Sequence, residues 1–161
     1  MDDASHTSLV VSHHEGFLTG RFTGDEPRVR LALDMYRLVL YLLDSKEADI
    51  GSFDLQGKTI EDAISWIRTS VGKFTGIDVS GEYNLRHHDL NSHPVGKGDF
   101  FAIFNPDDFF EMGRWYVFAD RILNQVRDQL KIVAPVRVWP HHFDIAILHE
   151  FGDGGIQAGA D

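Results

Sequence analysis

The chain reads as a single α+β domain in which two main helices pack a largely antiparallel sheet. Three observations carry that expectation. Apolar and polar residues alternate in short runs over the first third of the chain, which is the period of half-buried strands. Two later stretches place apolar residues every three or four positions behind recognisable caps, which is the pattern of amphipathic helices. A last apolar run near 136–151 reads as one more strand. With 161 residues, 43% of them hydrophobic and 12 of them phenylalanine, the chain can build one sizeable core.

The elements follow in order. Leu9-Val10-Val11 opens an apolar run that closes at His13-His14-Glu15-Gly16, and Phe17 to Phe22 returns. Residues 8–22 therefore read as a hairpin turning near Glu15-Gly16. Two patterns compete over 28–43. Val29, Leu31 and Leu33 alternate with Arg28, Arg30 and Asp34, as in a strand with one wet face. A single helix after Pro27 would instead gather Arg30, Asp34, Arg37, Tyr41 and Asp44 on one face. Two strands are preferred, because a polar stretch from Asp44 to Asp49 and renewed alternation over 50–55 complete a hairpin against Leu38–Leu43.

Thr59 and Asp62 resemble a capping box, with Asp in place of the usual Glu or Gln. Ile60, Ile64, Ile67 and Val71 then form the stripe of a helix over 59–73, closed by Gly72 or Gly76. Asn105-Pro106 opens a second helix over 106–130. Its acids (Asp107, Asp108, Glu111) lie at the positive end of its dipole, and Arg127 and Lys131 lie at the negative end. Phe109, Met112, Tyr116, Ala119, Leu123, Val126 and Leu130 recur as one apolar face, read as core. Trp115 and Phe118 fall off that face and read as a second packing surface or a partner contact. Residues 76–104 form a long loop carrying His87-His88 and His93-Pro94. The strand over 136–151 is expected to be central, since 143–148 are apolar on both faces apart from Asp144. A Gly-rich tail over 152–161 reads as disordered or as an incomplete end.

Composition excludes several functions. The formal net charge of −10 opposes nonspecific binding to nucleic acid or to an anionic membrane, both of which need a positive field. The absence of cysteine removes disulfides, thiolate nucleophiles and Cys-ligated metal sites. No apolar run reaches the ~20 residues that span a bilayer, and the acidic start lacks an apolar signal region. These features lead us to expect a soluble cytoplasmic protein.

The chemistry concentrates in Trp139-Pro140-His141-His142-Phe143-Asp144-Ile145-Ala146-Ile147-Leu148-His149-Glu150. Ionisable groups in a buried strand cost free energy unless paired or bound. On a regular strand His142 and Asp144 share a face while His141 turns away. Together, His142 and Asp144 could supply two ligands of a divalent metal such as zinc, with a third from His88 or His93, or from His13 or His14. They could equally form an imidazole–carboxylate acid–base pair, or a buried pair that only pins the fold, with His141 packed between Trp139 and Phe143. Zinc-protease spacing, a nucleophile elbow, phosphate loops and calcium-loop spacing are all missing. Three functions follow. The first is a small-molecule or metal-binding module with its site near His142 and Asp144. The second is a hydrolase or lyase using the same pair. The third is a structural or interaction protein whose histidines serve packing. Whether the chain is an enzyme stays open, as does assembly into a homo-oligomer.

Val136-Arg137-Val138-Trp139-Pro140-His141-His142-Phe143-Asp144-Ile145-Ala146 resembles the signature of a bacterial protein family carrying a Trp-Pro-His-His-Phe-Asp-Ile/Leu-Ala motif. The same order is kept by His6-Thr7-Ser8-Leu9, by Phe53-x-Leu55-x-Gly57-Lys58-Thr59 ahead of a helix with Trp66, and by a helix with Ala119-Asp120. The resemblance spans most of the chain, though only the motif is specific. That uncharacterised family has no established activity, so the resemblance implies no mechanism. It does imply an aromatic continuation beyond the motif, where this chain reaches Asp161; a missing strand would open an edge to self-association.

Overall fold

The structure, a computed structural model, describes residues 7–12, 16–23, 25–81, 93–132, 134–139 and 143–148. Five strands form one antiparallel sheet in sequence order: β1 (Val10–Ser12), β2 (Phe17–Thr19), β3 (Val29–Asp34), β4 (Val39–Asp44) and β5 (Asp49–Asp54). The two readings of 28–43 resolve in favour of strands, with register running from Val29↔Asp44 to Asp34↔Val39. The buried Asp34 explains the reversal. Its Oδ1 accepts the amides of Tyr36 at 2.8 Å and Arg37 at 3.1 Å, which satisfies the turn and stops the chain continuing as a helix.

Register lines up one apolar face across the sheet. Val11 pairs Leu18, Leu18 pairs Leu33, Leu33 pairs Leu40, and Leu40 pairs Phe53, and cross-strand partners share a face. Both helices pack on this side. Helix α1 (Ile60–Thr75) lies near β5, with Trp66 stacked on Phe53 at 5.4 Å between ring centroids. The capping box forms as expected: the Thr59 hydroxyl accepts the Asp62 amide, and the Asp62 carboxylate accepts the Thr59 amide at 2.9 Å. The Thr59 amide, and then the Thr59 hydroxyl, which donates to the same carboxylate at 2.9 Å, hold the Asp62 carboxyl below the usual carboxylate range. Helix α2 (Pro106–Leu130) lies near β1, capped by Asn105. Its Tyr116 and Val117 pack against a core of Val11, Leu18, Met35 and Val138.

Two expectations need correction. The run over 136–151 is not one central strand. It contains β6 (Arg137–Trp139) and β7 (Asp144–Ala146), an antiparallel pair with Trp139 opposite Asp144. Pro140 cannot donate to a ladder, and the reversal ends at Phe143, whose φ of 59° is left-handed. Strand β6 joins the larger sheet through Leu9 and Val138, whose amides and carbonyls bond reciprocally at 2.8 and 2.9 Å.

The second correction concerns the face of α2. The helix buries Gly113 and Asp120, while Met112, Val126 and Leu130 are 41%, 39% and 67% exposed. Tyr36 causes the rotation. A Cβ at Gly113 would lie 2.3 Å from its ring, so only a glycine lets the helix sit there, and the richest apolar face is turned partly outward.

Within the long loop over 76–104, the described residues include one short turn and a pair of backbone bonds to the sheet end. His93 caps a short 3-10 turn over Pro94–Lys97. Further on, Phe101 pairs with the backbone at Gly57 and Lys58, both bonds at 2.8 Å.

Candidate functional site

The β6–β7 hairpin is short and poorly able to stand alone. Two anchors hold it. Val138 is fully buried beneath it, and the Tyr116 hydroxyl of α2 donates to the Phe143 carbonyl at 2.7 Å. Burial first, and the Asp144 carboxylate second, push the Tyr116 phenol above its ordinary range. Asp144 thus stands at the head of β7, exposed and electrostatically in touch with α2.

Asp144 and His93 are the members of the expected metal set that the described residues include; His142 and His88 lie outside them, as do His141, His13 and His14. His93 is exposed and already employed, since its Nδ1 accepts the Val95 amide at 3.3 Å. That bond places the neutral ring's proton on Nε2. Coordination through Nε2 would move the proton to Nδ1 and cost the cap. Among the described residues no three His, Asp or Glu side chains gather as a metal would require.

The same hairpin forms a second feature on its other flank. Because side chains alternate, Val138 points into the core while Arg137 and Trp139 share the opposite face. They line a cavity of about 280 Å³ together with Ser8, Arg21, Ala134, Pro135 and Leu148. Ser8 is buried and Arg21 is exposed. Burial, and then the Arg21 guanidinium, hold the Arg137 pKa below its ordinary value. Among the described residues neither arginine forms an ion pair with a carboxylate. Two like charges therefore share a small hollow, with no neutralising carboxylate among the described residues, in a chain whose net charge is −10. Like charges held together disfavour the empty state and favour an anion between them.

Reading the sequence alone missed Arg21 and Arg137. The Arg-x-Trp spacing on one strand face was available as a signal for Arg137 and Trp139. Nothing local links Arg21, more than a hundred positions away. Comparisons with family models, with curated proteins and with solved structures find no match to this chain.

Proposed function

We propose that the protein is a small-molecule-binding module of the family with the Trp-Pro-His-His-Phe-Asp motif, and that its ligand is an organic anion. The observation that carries this reading is the Arg21–Arg137 pair in the cavity beside Trp139, with no carboxylate partner among the described residues. Two guanidinium groups present planar donor forks suited to carboxylate or phosphate, and the indole of Trp139 offers a flat surface to an attached ring. The cavity is close to the lower size limit of ligand pockets, which favours a ligand of a dozen heavy atoms or fewer over a nucleotide. Asp144, at the head of β7, together with His142, which lies outside the described residues, remains the metal-binding variant of the reading.

Calorimetric titration with benzoate, inorganic phosphate and neutral benzamide tests the proposal. Benzoate and phosphate should bind and benzamide should not. Arg137→Gln should weaken benzoate by about 10- to 100-fold, the range of a lost charged hydrogen bond. Trp139→Leu should weaken benzoate more than phosphate. Arg21→Gln should weaken both anions while raising the melting temperature of the ligand-free protein, because it removes a repulsion. Unchanged benzoate and phosphate binding in the Arg21→Gln, Arg137→Gln double variant would sink the reading.

A further inference from the structure

Helix α2 carries two stripes. The inner one, Gly113, Val117, Asp120 and Asn124, is packed or half-buried against the fold. The outer one, Met112, Trp115, Ala119, Ile122 and Val126, is spaced three, four, three, four, which is the seam of a coiled coil. Its large members are 41%, 61%, 41% and 39% exposed, and Phe118 and Leu130 beside them are 55% and 67% exposed. These six large side chains present on the order of 600 Å² of apolar surface, at the upper end for one patch on a monomer and near the ~800 Å² per partner of a stable interface.

We infer that this stripe is the interface of a homodimer in which α2 packs antiparallel against α2 of a second copy. The inference is independent of the anion site, which lies on the hairpin rather than on the outer face of α2. The identity of the occupant rests on the stripe's self-complementarity. Antiparallel coiled coils oppose the first apolar position of the heptad with the second, so Trp115 meets Val126 and Ala119 meets Ile122, and the two-fold axis repeats both pairings. Each layer sets a larger side chain against a smaller one, and Ala119 lets the axes approach near the centre. Charge selects the direction. Beyond the Glu111–Arg114 ion pair, Asp107 and Asp108 leave the N-terminal end of α2 acidic, whereas beyond the Arg127–Asp128 pair, Lys131 leaves its C-terminal end basic. Antiparallel packing brings unlike ends together and opposes the helix dipoles, whereas parallel packing would stack the acidic ends on each other.

Sedimentation velocity on the full chain over a hundredfold concentration range reads the assembly. A concentration-dependent dimer is expected. Trp115→Glu should raise its dissociation constant by at least about 30-fold, as loss of a central aromatic does, with an unchanged far-ultraviolet circular dichroism spectrum. Ile122→Glu should do the same if Trp115→Glu proves poorly folded. The chain has no cysteine, so Asp108→Cys gives a single spin-label site. Antiparallel helices would hold the two labels about 37 Å apart along the axis, and parallel ones about 10 Å apart. A monomer at every concentration, a dimer indifferent to both substitutions, or the short label distance would each overturn the inference.

Discussion

Tyr116 joins two parts of the molecule through one oxygen. Its ring packs on the core and its hydroxyl holds the carbonyl of Phe143, a residue in a left-handed backbone conformation. Tyr116→Phe should cost about 0.5–1.5 kcal/mol, the net worth of one such hydrogen bond, measured by urea denaturation at neutral pH. The pH dependence gives a sharper test. Because the phenol is raised above its ordinary pKa in the folded protein, folding favours the protonated form. The resulting stability is complete below the ordinary tyrosine range and is lost as pH rises through the folded value. Wild type should therefore lose stability faster than Tyr116→Phe across the alkaline limb, and parallel curves would contradict the assignment. The helical spacing of the sequence does reveal the ring, because periodicity reports apolar burial. The hydroxyl leaves no trace in that period, since its partner lies 27 positions away in a separate element. Asp144 was visible as chemistry, but its setting was not, because the chain turns just before it.

At the scale of elements, Gly113→Ala pits two known effects against each other. Alanine should favour an exposed helix interior by about 1 kcal/mol over glycine. Here the new methyl would meet the Tyr36 ring at 2.3 Å. That ring is also closed in from its other side, where a Cβ at Gly16 would approach it equally closely, so it has little room to retreat. Overpacking of this kind costs about 1–3 kcal/mol, and net destabilisation of α2 is expected by thermal melting. In a Tyr36→Ala background the sign should reverse, since the obstacle is gone and only the helix preference remains. Failure to reverse would mean that the ring does not set the helix position. The same contact explains what was legible. The bounds of α2 were readable at Asn105 and near Lys131, because caps are local chemistry. The face it buries was not, because a tyrosine in the β3–β4 turn decides it. Likewise, β1 to β5 followed from alternation and turn residues. The β6–β7 reversal escaped, because Phe143 takes a left-handed conformation that usually announces itself as glycine or asparagine.

At the scale of the whole molecule, the order of alternating and helical runs anticipated the α+β class, and the described residues contain no helix long and apolar enough to cross a membrane. The cavity lined by Arg21 and Arg137 could not be anticipated, because it gathers residues from positions 8, 21, 137 and 148. Net charge sets one further expectation. Two copies each carrying −10 repel as they approach, with centres on the order of 30 Å apart for a compact chain of this length. The Debye length falls from about 30 Å at 10 mM salt to about 8 Å at 150 mM, so salt removes nearly all of this repulsion. It barely touches the apolar seam formed by Trp115, Ala119, Ile122 and Val126. Complementary charges at the helix ends are few and exposed, and exposed pairs are worth little; they choose the direction of packing rather than its strength. The dissociation constant of the dimer should therefore fall as salt is raised across that range, followed by sedimentation equilibrium at neutral pH. A dimer that weakened with salt instead would have to be held by ion pairs, and the outer stripe of α2 would lose its claim to be the seam.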